Sequence, residues 1–224
     1  MTFSIIARCR KTGQFGVAAT TGVPAVGKLL THAEAGIGAV ATQARVNPYL
    51  GIDGMAYLRE SMRAEEVRDR LAGEDPAPEN RQFAVIDRHG DTAVWTGAGC
   101  LDWAGSIAGD GYSLQGNRLC GRNVLAVAAS AYEESGGQAL ADRLLAAIVA
   151  GDLAGGDRKS ERSATIYVVD EEAYPLWDIR VDEHEEPVRE LQRLHRIFAE
   201  EVIPEIRRMP TRRNMAGEPG EEPI

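Results

Sequence analysis

Thr2 is the residue whose chemistry is most specific in this sequence. If Met1 is removed, Thr2 carries both a hydroxyl and a free α-amine. An α-amine has an ordinary pKa of about 7.7–8.0, so it can accept the hydroxyl proton near neutral pH. One residue then supplies the nucleophile and the general base of a covalent mechanism. The plainer interpretation is that Thr2 only begins an edge strand, where threonine is common.

Polar side chains in small, glycine-rich loops are the candidates to complete such a site. They can donate hydrogen bonds to an oxyanion or hold a substrate carboxylate. Turn formation and helix capping are the plainer alternative for each of them. Asn47 is favoured, because it follows a candidate strand in a loop that could reach the amino-terminal end of the first strand. The candidate substrate-binding or oxyanion-binding residues are Thr21, Asn47, Asp110, Asn117 and Asp157.

Other kinds of site are not indicated by the sequence. Gly36-Ile37-Gly38 opens no helix, and GxxxxGK[ST] occurs nowhere, so we expect no nucleotide cofactor. The four histidines lack metal-ligand spacing, and no GxSxG nucleophile elbow is present. The three cysteines are scattered and form no CxxC pair, which indicates neither a zinc site nor a disulfide framework. We therefore expect no metal and a reducing, cytoplasmic location.

Composition and charge narrow the function classes further. The chain has 224 residues, 44% of them hydrophobic and 26% charged, the ordinary balance of a globular domain. The net charge of −9 disfavours nucleic acid as a partner. No apolar run approaches the roughly 20 residues that a membrane-spanning helix needs. We expect one domain over residues 1–209 and a disordered tail over 210–224, which is rich in proline, glycine and charge.

The hydrophobic pattern predicts strand hairpins separated by helix pairs. Expected strands cover residues 2–8, 15–20, 36–43, 83–86, 92–95, 164–169 and 176–181. Expected helices cover two segments within 51–73, then 122–134, 138–150 and 187–209, while Asn47-Pro48 and Gly51 are expected in a loop. This order does not suit a doubly wound parallel sheet, which alternates single strands and helices. Two antiparallel sheets between helical layers, an α+β architecture, fit better.

Several segments together resemble a known family, the bacterial domain of unknown function family 1028, which is grouped with the N-terminal-nucleophile (Ntn) hydrolases. The resemblance covers roughly residues 2 to 195. It rests on MTFSIIAR, AVG, AGIGAVATQ with NPYLG, RQFAVID, WAG with GDGYSLQGN, AGGDR and DIRVDEH. Ser160 and Arg162 stand where this family suggests Gly and Gln, and Thr20-Thr21-Gly22 replaces a serine-containing segment. These departures bear on substrate preference more than on fold.

The resemblance implies an αββα four-layer sandwich and a role in amide cleavage. The first hypothesis is therefore an Ntn-type amidohydrolase that cleaves a C–N bond of a small-molecule amide through Thr2. The alternative is a non-catalytic small-molecule-binding or assembly protein that keeps the fold without the chemistry. The last helix has an apolar stripe that could pack against a second subunit, so a homo-oligomer is one expected form.

Overall fold

Two antiparallel sheets lie face to face, and helices cover both of their outer faces. The computed structural model describes residues 2–155 and 160–218. The predicted αββα sandwich is confirmed. Each sheet buries one face against the other sheet and one against helices, so strands in both sheets are apolar on two sides.

The larger sheet has six strands, and its interior holds the first strand of the chain. Across the sheet the order is β10 (Pro175–Val181), β9 (Ser163–Val169), β2 (Phe15–Thr21), β1 (Thr2–Arg8), β8 (Tyr112–Asn117) and β7 (Gly105–Gly109). All neighbouring strands are antiparallel. Because β1 lies between β2 and β8, Thr2 begins an interior strand and not an edge strand.

The smaller sheet is a four-stranded antiparallel meander. Its order is β3 (Thr31–Glu34), β4 (Gly38–Ala44), β5 (Arg81–Asp87) and β6 (Thr92–Thr96). Its outer face is covered by α2 (Pro48–Arg59) and α3 (Ala64–Glu74). A short 3-10 turn at Pro78–Asn80 leads from α3 into β5.

Helices from the second half of the chain cover the larger sheet. They are α4 (Asn123–Glu134), α5 (Leu140–Leu153) and α6 (Pro187–Ile197). A single turn, α1 (Val26–Leu29), follows β2, and a π-helical turn at Phe198–Val202 joins α6 to α7 (Ile203–Ile206). The helix predicted over 187–209 is thus present as a continuous helical segment over 187–206, with a π-helical turn within it and Pro204 in its last part.

Alternation along β1 decides which of its side chains face the second sheet. Phe3, Ile5 and Ala7 belong to the core beneath the helices of the larger sheet. Ile6 belongs to the core between the sheets, and Ser4 bonds to Gln43 of the smaller sheet. Since side chains alternate between the faces of a strand, Thr2 shares the inter-sheet face with Ser4 and Ile6.

Two elements differ from the sequence-based expectation for identifiable reasons. The β7–β8 hairpin was not predicted, because β8 reads Tyr-Ser-Leu-Gln-Gly-Asn and its inter-sheet face is polar although every residue is buried. The expected loop at Asn47-Pro48 is the start of α2: Asn47 is the N-cap and Pro48 occupies the first turn. Proline is favoured there because its missing N–H has no helical partner anyway.

The predicted disordered tail is only partly described. Residues 210–218 form a turn in which Tyr174 donates to the carbonyl of Pro210, at 3.1 Å, and the Arg212 amide approaches Glu172. Residues 219–224 lie outside the described part of the chain. The expectation that the domain ends near residue 209 stays a prediction.

Candidate active site

Thr2 meets two of the other predicted site residues at one end of the larger sheet. In the strand register it lies opposite Thr21 of β2 on one side and Asn117 of β8 on the other. The Thr2 and Thr21 hydroxyl oxygens are 3.0 Å apart, a hydrogen-bonding distance. The structure therefore brings Thr2, Thr21 and Asn117 together, although they are far apart in sequence.

These three residues open into a cleft of about 490 Å³. Such a volume is within the usual range for small-molecule sites. The cleft is also lined by segments that follow β4, β6 and β8 and by the 3-10 turn before β5. The further lining side chains that matter below are Arg45, Val46, Asn80, Cys100, Leu101 and Arg118.

Beneath the cleft, a chain of uncharged side chains connects the two sheets. Ser4 donates to Gln43 Oε1 at 2.7 Å, and Gln43 Nε2 donates to Gln82 Oε1 at 2.7 Å. Gln115 Nε2 donates to Ser4 Oγ at 2.6 Å. All four residues are fully buried. Because a buried amide without partners is costly, this chain fixes the relative positions of β1, β4, β5 and β8.

The same network reaches both β1 and the cleft. Gln43 Nε2 lies 3.5 Å from the Thr2 carbonyl oxygen. Asn117 Nδ2 donates to Gln82 Oε1 at 3.0 Å, which orients the Asn117 amide at the cleft wall. Gln82 Nε2 in turn donates to the Gly116 carbonyl, at 2.9 Å. The residues around Thr2 are thus held by a rigid polar layer.

Asn47 performs a different task from the one favoured by the sequence. Its Oδ1 accepts from the Tyr49 amide at 3.1 Å and caps α2, and its Nδ2 donates to Asp75 at 2.7 Å. Asp75 is buried and also bonds to Arg81 at 3.0 Å. Burial acts to raise the pKa of Asp75. The hydrogen bonds from Asn47, the Ala77 amide and Arg81, together with the guanidinium charge, outweigh it and lower that pKa.

The remaining candidates do not line the cleft. Asn47 is outside it, and Asp110 lies in the β7–β8 turn, at the end of β8 away from Asn117. There Asp110 forms an exposed ion pair with Arg10. Asp157 lies outside the described residues.

Cys100 places a thiol at the wall of the same cleft. Burial raises the pKa of its thiol and the Glu79 carboxylate raises it further, although a backbone hydrogen bond from Gly97 opposes them. The Cys100 thiol also donates a hydrogen bond to the Arg81 carbonyl oxygen, at an Sγ–O distance of 3.3 Å. Since the thiolate is the reactive form, these surroundings disfavour Cys100 as a nucleophile.

Strained backbone marks the cleft. Ala44 and Arg118 adopt left-handed backbone angles, with φ of 68° and 59°. A side chain with a Cβ pays a cost of roughly 1–2 kcal/mol in this region. Such conformations cluster at functional sites because the surrounding structure must impose them.

Sequence reasoning missed the glutamines and the two arginines. Gln43 and Gln82 lie in strands of mainly small or apolar residues, and that pattern is a usable signal for a buried polar layer. Gln115 gives no such signal, because Ser113 and Asn117 alternate with it in β8. Arg45 and Arg118 carry no comparable signal, because charged residues after strands are common on protein surfaces.

The described residues contain neither a metal-binding cluster nor a membrane-spanning helix. Among residues 2–155 and 160–218, no group of three His, Cys, Asp or Glu side chains is placed to hold a metal ion. Nor does that part of the chain contain a helix long and apolar enough to cross a bilayer.

Comparison with known proteins places the chain in a family. No curated protein matches it. Its structure is similar to the crystal structure of protein SPO2555 from Silicibacter pomeroyi, described as DUF1028, with 27% sequence identity and a TM-score of 0.90. That similarity covers 100% of this chain and 97% of the other. The model of the family described as "Family of unknown function (DUF1028)" matches residues 2–191. The chain therefore belongs to the DUF1028 family.

Proposed function

We propose that this chain is an Ntn-type amidohydrolase that cleaves a C–N amide bond of a small molecule, with Thr2 as its nucleophile. The observation that carries the proposal is the position of the Thr2 hydroxyl. It faces a cleft of about 490 Å³ and hydrogen-bonds to Thr21 at 3.0 Å. The proposal requires that the peptide bond between Met1 and Thr2 is cleaved, because only then does Thr2 have a basic amine.

The proposed reaction has two balanced steps. In the first, Thr2 Oγ1 attacks the amide carbonyl carbon while its proton passes to the Thr2 α-amine. The C–N bond then breaks, and the departing amine takes that proton from the α-ammonium group. In the second step water attacks the resulting ester and gives its proton to the α-amine, which returns it to Thr2 Oγ1 as the carboxylic acid leaves.

Thr21 and Asn117 have distinct roles in this scheme. The Thr21 hydroxyl orients the Thr2 hydroxyl through their 3.0 Å contact. An asparagine amide has two N–H donors, and Asn117 directs one of them at Gln82. Its other N–H donates to the oxyanion that develops on the substrate carbonyl. Removal of one such donor typically costs about 100- to 1,000-fold in kcat.

Replacement of Thr2 tests the proposal directly. Thr2→Ala removes the attacking oxygen, so turnover of small amides, ureides and lactams should fall by orders of magnitude. Thr2→Ser keeps the hydroxyl and loses only the methyl that restricts its rotamer, so partial activity should remain. Intact-mass measurement on each protein reports whether Met1 is absent. Thr12→Ala is the matched control, because Thr12 is exposed in the β1–β2 turn at the far end of β1.

Three outcomes would contradict the mechanism. Turnover by Thr2→Ala at the wild-type rate would place the nucleophile elsewhere. Complete retention of Met1 in active protein would remove the proposed base. Absence of turnover for the whole panel by wild-type protein that begins at Thr2 would favour the binding or assembly alternative. Thermal unfolding of each variant separates a lost nucleophile from a lost fold.

A further inference from the structure

The cleft that contains Thr2 is positively charged although the protein is acidic overall. The whole chain has a net charge of −9. Two arginines, Arg45 and Arg118, line the cleft, and no aspartate or glutamate among the described residues does so. A cleft of one sign attracts ligands of the opposite sign, because low-dielectric walls concentrate the field.

Both arginines lack the partners that other arginines of this chain have. Arg81 pairs with Asp75, and Arg162 pairs with Glu183. Within residues 2–155 and 160–218, neither the Arg45 nor the Arg118 side chain makes a hydrogen bond or an ion pair to another residue. Arg118 is also half-buried. Arg45 is exposed. Since two positive charges line one cleft without a carboxylate beside them in the described part of the chain, their placement favours an anionic ligand.

The backbone holds both arginines at the cleft. Asn117 pairs with Thr2 in the strand register, and Arg118 is the next residue, in a left-handed conformation. Arg45 follows Ala44, which is also left-handed. The Arg45 amide donates to the Asn80 carbonyl at 3.2 Å, and its carbonyl accepts from Arg81 at 2.5 Å. Both side chains therefore start from fixed positions beside the Thr2 end of the sheet.

We propose that Arg45 and Arg118 bind a carboxylate of the substrate, so that the substrate class is small amides that carry a carboxylate group. This inference rests on the proposed amidohydrolase function of the same cleft. Guanidinium groups match carboxylates because their planar N–H donors can form two parallel hydrogen bonds. The exposed apolar side chains of Val46 and Leu101 line the same cleft and can cover the uncharged part of such a molecule.

Pairs of probes in which a neutral carboxamide replaces the carboxylate test this subsite. N-acetylglycine is compared with N-acetylglycinamide, and succinamate with succinamide. Binding is measured by calorimetry in the Thr2→Ala protein, so that it does not depend on turnover, and hydrolysis is measured in parallel with an intact Thr2. The carboxylate member of each pair should bind at least about tenfold more tightly, the value of one charge-assisted hydrogen bond.

Variants of the two arginines assign the effect. Arg45→Gln and Arg118→Asn should each remove about tenfold of the preference for the carboxylate. Asparagine is used at position 118 because it tolerates the left-handed backbone. Arg45→Lys and Arg118→Lys keep the charge and should retain part of the preference. Arg207→Gln is the matched control: it removes one charge from an exposed residue that follows α7, outside the cleft.

The outcomes separate the subsite from the reaction. If carboxylates bind in a way that depends on the arginines, but protein with an intact Thr2 hydrolyses none of the probes, the subsite is supported and the proposed function is contradicted. Hydrolysis that shows no carboxylate preference, or a preference that survives both neutral arginine variants, would overturn the subsite and leave the function standing. Absence of carboxylate binding at millimolar concentration would also overturn the subsite. Thermal unfolding confirms that each variant is folded.

Discussion

At the scale of single residues, the same side-chain type performs different tasks according to its neighbours. Asn117 and Asn47 were both candidate oxyanion donors from the sequence, and the sequence favoured Asn47. Asn117 lines the cleft beside Thr2, whereas both ends of the Asn47 amide are occupied, by the Tyr49 amide and by Asp75. Sequence alone could not separate them correctly, because the difference depends on Asp75, which is 28 residues away from Asn47.

Asn47→Ala should destabilise the protein more than it affects catalysis. It removes a helix N-cap, worth about 1 kcal/mol, and a hydrogen bond to a buried carboxylate, worth about 1.5–3 kcal/mol. We expect the free energy of unfolding to fall by about 2.5–4 kcal/mol, measured by urea denaturation, with kcat/KM changed less than about tenfold.

A partner variant and a change of pH sharpen that test. Asn47→Ser keeps a capping oxygen but not the bond to Asp75, so its loss of stability should be intermediate. Because the folded-state pKa of Asp75 is lowered, its stabilising contribution is present above the ordinary carboxyl pKa and disappears as pH falls through the folded-state value. A fully stable Asn47→Ala protein with a hundredfold loss of kcat would instead return Asn47 to the oxyanion role.

At the scale of elements, the sequence was sufficient where apolar periodicity was regular. The β1–β2, β5–β6 and β9–β10 hairpins and the α4–α5 pair lie where the pattern predicted them. The sequence was insufficient for β8. Its residues Ser113, Gln115 and Asn117 face the other sheet, and they are buried polar side chains with hydrogen-bond partners there, so no apolar alternation marks the strand. The candidate site could be predicted only in part for the same reason. Thr2 was identified from the chemistry of an amino-terminal threonine, whereas Arg45 and Gln82 come close to it only because the strands pair as they do.

Glycine in α5 lets the helix approach β1, the strand that begins with Thr2. A Cβ at Gly151 would lie 2.5 Å from Cζ of Phe3, which is fully buried directly after Thr2. Alanine gains about 1 kcal/mol in helix propensity, but overpacking a core costs about 1–3 kcal/mol. We expect Gly151→Ala to lower the free energy of unfolding by about 1 kcal/mol and to reduce turnover by displacing β1.

Gly73 is the matched control for that substitution. It is an exposed helical glycine near the end of α3, and a Cβ there would meet no atom within 4 Å. Gly73→Ala should therefore stabilise the protein by several tenths of a kcal/mol, up to about 1, in the same urea experiment. Equal stabilisation by both substitutions would show that α5 does not pack on Phe3 as described.

At the scale of the whole molecule, the candidate site and the apolar core between the sheets occupy different parts of the sandwich. The cleft lies where the inter-sheet layer is polar, around Ser4, Gln43 and Gln82, whereas Ile6, Phe15 and Val17 belong to an apolar core between the same sheets. This division lets one end of the sandwich hold a charged, strained site. Apolar packing elsewhere between the sheets, and beneath both helical layers, offsets that cost.

The carboxyl-terminal limit of the domain can be located by truncation. Ile203 of α7 is buried in the core beneath the larger sheet. Among residues 210–218, by contrast, none is buried, and their hydrogen bonds to Glu172 and Tyr174 are exposed. Deletion of residues 210–224 should therefore cost less than about 1 kcal/mol, which shifts the unfolding midpoint of a domain of this size by no more than about 2–4 °C.

Ile203→Ala in the full chain is the comparison for this deletion. Truncating a buried isoleucine costs about 2–5 kcal/mol, so the unfolding midpoint should fall further. Both are measured by thermal unfolding under identical conditions. If the deletion lowers the midpoint as far as Ile203→Ala does, the tail is docked on the domain and the boundary lies beyond residue 209.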